Sequence, residues 1–129
     1  MGRTAKEEAN RKLVLDVYEH VLKPLDSARV DRYFAPGYIQ HNPMAETGAA
    51  GLKKFLDWAR ATSPDAEHHV RRIFADGDHV IAHVHVIINP GESGNAVVDI
   101  FRIENGLLAE HWDVAQPVAT TSANDNGMF

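Results

Sequence analysis

Between positions 5 and 22, apolar side chains recur at helical spacing: Leu13, Val14, Val17, Tyr18, Val21 and Leu22. Charges occupy the opposite face, which predicts an amphipathic helix ended near Pro24. A short second helix is expected from Ala28 to Phe34, with Asp26-Ser27 as cap candidates and Pro36-Gly37 as its stop. The run Tyr38 to Pro43 reads as extended, because a proline biases the residue before it away from helix. A third helix opens at Thr47 or Gly48, turns Leu52, Phe55, Leu56 and Ala59 inward and stops at Ser63-Pro64.

After that the period falls to two. Strands are expected over 68–75, 79–89, 96–104 and 107–116, separated by Asp76-Gly77-Asp78, by residues 89–94 and by Asn105-Gly106, all with turn chemistry. Helices followed by an antiparallel meander predict an α+β fold with the helices on one face of a curved sheet. One domain over 1–129 accommodates the whole pattern, with its core at about 10–117 and a surface tail over 118–129.

The strands break their own alternation in informative places. Strand 79–89 has one clean apolar face, Val80, Ala82, Val84, Val86 and Ile88, while His79, Ile81, His83, His85 and Ile87 make the other. That many imidazoles among aliphatics predict a partly wet cavity on their side. Asp99 stands between Val97 and Phe101, where a core strand would carry an aliphatic. A buried lone carboxylate requires a partner, water or a raised pKa.

Which residues face Asp99 depends on the hairpin at Asn105-Gly106. A two-residue loop pairs Glu104 with Leu107 and sets Asp99 opposite Trp112. A three-residue loop with a glycine bulge pairs Ile103 with Leu107, sets Asp99 opposite His111 and sets Val97 opposite Asp113. The bulged loop is preferred, because it gathers Asp99, His111 and Asp113 on one face and makes Arg102 and Glu110 diagonal neighbours on the other. Val84, Val86, Val98, Ile100, Trp112 and Val114 are left for the outer face, an apolar surface that predicts a homodimer through the sheet.

Composition narrows the function classes. Of 129 residues 44% are hydrophobic, enough for a folded core, and the formal net charge of −5 with no basic stripe argues against nucleic acid as a partner. The chain has no cysteine, so disulfides and thiolate chemistry are excluded. No apolar run is long enough for a bilayer and no signal-peptide core is visible, so no membrane partner and a cytoplasmic location are expected. Glycine-rich phosphate loops and nucleophile elbows are missing, which points to no nucleotide cofactor and no serine hydrolase. His83 and His85 have the His-x-His spacing of a metal pair, with Asp99 next door, but alternation produces that pattern by chance; no metal and no cofactor are expected.

The ordered set Tyr38-Ile39-Gln40-His41-Asn42-Pro43, Gly51-Leu52, Asp76-Gly77-Asp78, Val98-Asp99-Ile100-Phe101-Arg102 and Glu110-His111-Trp112-Asp113 resembles the SnoaL-like polyketide cyclase family, closest to its SnoaL-like aldol-condensation subgroup. The resemblance covers roughly positions 10–117. It implies a nuclear transport factor 2-like cone, with three N-terminal helices packed on a curved, mainly antiparallel sheet, and homodimers or tetramers. It also implies metal-free, cofactor-free aldol closure with Asp113 at the position of the acid/base aspartate. Those cyclases tend to carry a histidine on the preceding strand, where this chain has Asp99.

The expected chemistry is therefore proton transfer at carbon beside a carbonyl, in an aldol-type cyclase, isomerase, lyase or dehydratase. Asp113 or Asp99 would be the base, with His41 and His85 orienting groups or stabilising an enolate. Two carboxylates in one enclosed site cannot both ionise easily, so one should be pushed up, a pattern known from ketosteroid isomerase, which shares the superfamily fold. His83, His85, His111, Phe101, Asn42, Tyr38 and Phe55 are the expected substrate-binding residues, for a small molecule with a carbonyl. His20, His68 and His69 are expected at the surface, Trp112 on the outer face, and Tyr18 in the core. The alternative from another class is a non-catalytic small-molecule binding domain of the same fold.

Overall fold

The computed structural model describes residues 2–129. Helix α1, Ala5–Val17, starts at a capping box: the Glu7 N–H donates to Thr4 Oγ1 at 3.1 Å, and Glu7 Oε1 accepts from the Thr4 N–H at 2.8 Å. A π turn, Tyr18–Leu22, extends it, closed by the Lys23 N–H on the Tyr18 carbonyl at 2.8 Å. The predicted stripe is buried at Val14, Val17, Tyr18 and Val21.

Asp26 accepts from the Ala28 N–H and caps a 3₁₀ turn, Ser27–Arg29, that runs into the one-turn helix α2, Val30–Tyr33. Strand β1, Phe34–Gln40, follows without a break. Phe34, Pro36 and Gly37 therefore belong to a strand, not to a helix end. Proline fits there because β1 is an edge strand whose ladder is irregular between Phe34 and Ile39, so its missing N–H breaks no regular pairing. Helix α3 is Gly48–Thr62.

Strands β2 (Glu67–Asp76), β3 (His79–Ile87), β4 (Asn95–Glu104) and β5 (Leu107–Pro117) form an antiparallel meander, and β1 pairs in parallel with β5. The order is β1-β5-β4-β3-β2, a five-stranded mixed sheet. Helix α1 lies over β2 and β3, and α3 over β1. The core between them contains Val14, Tyr18, Val21, Val80, Val84, Phe101 and Leu108.

Two bulges decide which side chains face that core. The β4–β5 hairpin closes on a two-residue turn, Asn105 and Gly106, with φ of 53° and 74°, and Glu104 pairs with Leu107. One pair later an extra residue enters β5, so Arg102 faces Glu110 and Asp99 faces Asp113. The three-residue loop is thus corrected: the bulge lies beyond the turn, and the ladder partner of Asp99 is neither His111 nor Trp112 but Asp113. The register differs by two residues from the preferred one, which preserves the face of every side chain. Asp99, His111 and Asp113 accordingly share the inner face.

On β3 the expected faces are exchanged. Val84 pairs with Val97 and Ala82 with Asp99, so the aliphatic row Val80, Ala82 and Val84 points inward and is fully buried. His83 pairs with Val98, and His85 with Ala96, on the outer face. Val84 and Val86 are correspondingly not part of the outer surface. The connection between β3 and β4 is too long to set the phase by itself, and burying valines is favourable where burying imidazoles is not.

On β2 a bulge between Val70 and Arg72 inverts the alternation, so His68 and Val70 point inward on one side of it and Ile73 and Ala75 on the other. At the far end of the chain the Phe129 ring stacks on His85 with centroids 4.5 Å apart, and the Arg71 guanidinium lies 5.3 Å from the same ring. No helix among the described residues is long and apolar enough to cross a membrane.

Candidate active site

A cavity of about 550 Å³ opens between α3 and the inner face of the sheet. Most of its wall is apolar, including Leu25, Phe34, Tyr38, Leu52, Phe55 and Phe101. Its polar groups include Gln40 and Asn42 at the end of β1, Asp99, His111 and Asp113 on β4 and β5, His68 on β2, Asn95 at the start of β4 and Ser63 just after α3.

The hydrogen bonds fix the orientation of nearly every polar group. Asn42 donates its backbone N–H to the Gln40 side chain at 2.9 Å, which identifies that atom as the amide oxygen. The same oxygen lies 2.8 Å from His111 Nδ1, so Nδ1 must carry a proton. His111 Nε2 lies 2.8 Å from Asp99 Oδ1, and one proton is shared across that contact. The Tyr18 hydroxyl donates to Asp99 Oδ2 from the π turn, where such irregularities recur at functional sites. Asp99 is 8% exposed and His111 7%. Burial, and after it the charge of Asp99, holds the Tyr18 hydroxyl well above its ordinary pKa, so it stays a donor.

Asp113 is bound differently. Asn42 Oδ1 accepts from the Met44 N–H at 2.8 Å, which leaves Nδ2 to donate to Asp113 Oδ2 at 2.7 Å. That oxygen is 4.0 Å from His111 Nε2. Among the described residues Asp113 Oδ1 receives no hydrogen bond, so it is available to a molecule in the cavity. Thr47 holds the end of β1 in place, accepting from the Gln40 N–H and donating to the Tyr38 carbonyl, both at 3.1 Å. Asp99, His111 and Asp113 also each offer one ligand atom, all within 4.8 Å, so they are the side chains that could hold a metal ion.

The structure brings together Asp99, Asp113, His111, Phe101, Asn42, Tyr38 and Phe55 from the expected set, all at this cavity. The His111 ring stacks on Phe101 with centroids 4.8 Å apart. Three expected residues lie elsewhere. His41 alternates with Gln40 and so points to the outer side, where Nε2 contacts Glu110 Oε2 at 2.7 Å and the ring stacks on Trp112. His83 contacts Arg72 on the outer face, and His85 Nε2 the Ser93 carbonyl at 2.7 Å, both away from Asp99.

Tyr18, Gln40 and His68 are site residues that the sequence pattern did not single out. Tyr18 had a signal, since a tyrosine on a buried stripe needs a partner for its hydroxyl. His68 had none, because alternation counted back from Ile73 turns it outward, and only the bulge reverses that.

The profile of the SnoaL-like domain family matches residues 14–111. Solved structures of the same shape include TsrD from Streptomyces laurentii, at 25% identity and TM-score 0.64, covering 89% of this chain and 91% of that one. A protein named as a SnoaL-like polyketide cyclase from Jannaschia sp. CCS1 aligns at 19% identity and TM-score 0.74, over 89% and 90% of the two chains. One named as a ketosteroid isomerase from Kribbella flavida aligns at 18% identity and TM-score 0.70, over 92% and 86%. No curated protein matches. The three helices on a curved, mixed five-stranded sheet are the nuclear transport factor 2-like fold, and the chain belongs to the SnoaL-like domain family.

Proposed function

We propose that the protein is an enzyme of proton transfer at carbon: it binds a small carbonyl compound in the cavity and moves a proton next to the carbonyl, for aldol-type closure, isomerisation or dehydration. The observation that carries this reading is the position of Asp113, at the polar end of an apolar cavity, held through one oxygen by Asn42 and with the other free. Asp113 takes the proton from the carbon, and the electron pair of that C–H bond moves into the carbonyl as an enolate. The pair His111 and Asp99, backed by Tyr18, supplies the proton or hydrogen bond that the new oxyanion needs. Gln40 keeps Nδ1 of His111 protonated, so that Nε2 is the atom that gives or takes a proton. The neighbours named as polyketide cyclases and as a ketosteroid isomerase support the same class of chemistry.

Exchange of the protons beside the carbonyl of β-tetralone in deuterated buffer, followed by NMR, tests the reading with a probe that needs no second substrate. Catalysed exchange by the wild type that vanishes in Asp113→Asn, with binding of the ketone retained, is the expected result. Binding without catalysed exchange in the wild type would instead make the cavity a receptor site.

The outer face carries an unbroken apolar row across four strands, Phe74, Ile81, Ile100 and Trp112, with Val98 and Val114 beside it. A second copy of the chain laying the same row against it gives a self-complementary contact, which supports a homodimer through this face.

A further inference from the structure

His68 is a cavity residue that the hydrogen-bond network around Asp113 leaves out, and Asn95, which pairs with the same residue of β3, Val86, lines the cavity beside it. It projects from β2 on the inner side of the bulge and lines the cavity. Its Nδ1 is closed off from solvent and has no hydrogen-bond partner in the protein. Burial pushes its imidazole below the ordinary histidine value, against a smaller opposing effect of Asp99, so the ring is neutral near pH 7. A neutral imidazole offers one donor and one acceptor. Nδ1 is closed to a ligand as well as to solvent, so the nitrogen that the cavity can reach is Nε2, which likewise has no hydrogen-bond partner among the described residues and calls for a ligand or water to satisfy it.

The register places His68 well away from the reacting end. Asp99 pairs with Ala82, whereas His68 pairs with Val86, four residues further along β3. At about 3.3 Å per residue those rows are roughly 13 Å apart along the strands. Phe55, Leu56 and Val97 are among the apolar side chains that line the cavity together with these two polar points.

We propose that His68 is a second anchoring point, so that the molecule this cavity takes is bifunctional: a carbonyl at Asp113 and, across an apolar body, a hydroxyl or second carbonyl oxygen hydrogen-bonded to His68. The assignment rests on the carbonyl chemistry proposed above and narrows its substrate class. An unfunctionalised hydrocarbon ketone fills the apolar wall but leaves His68 unsatisfied. An oxygen at the far end of the ligand gains the hydrogen bond and sets which way round the ligand lies.

Two probes separate this proposal from the reaction itself: β-tetralone, and β-tetralone with a phenolic hydroxyl on the ring carbon farthest from the ketone. Binding of each to the wild type, His68→Leu and His68→Gln is measured by titration, with nitrogen-15 NMR of the histidine side chains. The wild type should bind the hydroxylated probe roughly five- to tenfold more tightly, as one neutral hydrogen bond allows. His68→Leu should abolish that preference while leaving the affinity for plain β-tetralone nearly unchanged. His68→Gln should restore part of it, and in the wild type the His68 nitrogens should shift only with the hydroxylated probe.

Equal affinities for the two probes, or a preference that survives in His68→Leu, would overturn the anchoring role, and so would failure of either probe to bind. Loss of proton exchange with the preference intact would count against the proposed reaction alone, and the anchor would stand.

Discussion

Asp113 stands directly across the β4–β5 ladder from Asp99, and the two carboxylates are held by different partners. Asp99 is bound on both oxygens, by Tyr18 and His111, whereas Asp113 is bound on one, by Asn42. That asymmetry divides the roles. A carboxylate with both oxygens occupied orients and tunes its neighbours; one with a free oxygen on the cavity can take a proton from a ligand.

Asp113→Asn should lower catalysed proton exchange by at least ~100-fold, the usual scale for removing a general base, with ligand affinity little changed. Deuterium uptake by β-tetralone measures it. A rate unaffected by the substitution would exclude Asp113 as the base and turn attention to Asp99.

Tyr18→Phe removes one of the two donors to a buried carboxylate. Loss of about 1–3 kcal/mol of stability is expected in urea denaturation. Much of that loss should disappear when Asp99→Asn is already present, since the two residues form one contact and their substitutions should be non-additive. Additive effects would mean that the hydroxyl acts on something other than Asp99.

The pH profile of stability should carry the signature of His68. Burial lowers its folded pKa from the ordinary 6.5. Between that lowered value and 6.5 the unfolded chain holds a proton that the folded chain lacks, so stability is intact above 6.5 and falls as the pH drops below it. The slope from this one group is at most about 1.4 kcal/mol per pH unit, and it ends below the folded pKa. Thermal denaturation of wild type and His68→Leu between pH 7.5 and about 5 should show a shallower decline in the variant. Parallel curves would show that His68 is protonated alike in both states.

Gly51 explains one element of the family pattern. A Cβ on it would sit 2.2 Å from the Glu46 carbonyl oxygen, in the backbone that leads from β1 into α3. Gly51→Ala should therefore destabilise the fold by about 1–3 kcal/mol although alanine is the better helix former, and calorimetry would detect the lowered Tm. An unchanged Tm would show that the segment before α3 moves aside freely.

Val114 is 71% exposed beside the apolar row on the outer face. Val114→Glu should convert a dimer to a monomer in analytical ultracentrifugation without loss of helix or strand signal. A wild type that sediments as a monomer would remove the dimer proposal.

Local pattern made much of this molecule legible. The helical stripe through Val14, Val17 and Tyr18, the switch to period two after Ser63-Pro64, and the turn at Asn105-Gly106 each follow from side-chain spacing or backbone preference over a few residues. So does the oddity of Asp99 between Val97 and Phe101. Those facts, together with the ordered family residues, were enough to expect the fold, the cavity and the grouping of Asp99, His111 and Asp113.

What only the tertiary structure decided was phase. A strand carries the same alternation whichever face is turned inward, and one extra residue exchanges the faces. The bulge in β2 brought His68 into the cavity, and the one in β5 set Asp99 against Asp113 in a register that no turn type predicts alone. The pairing of β3 with β4 sent His83 and His85 outward, because a row of valines is stabilised by burial and imidazoles are better left near water. Spacing within a strand determines which residues travel together, but the packing of the whole sheet determines which of them meet.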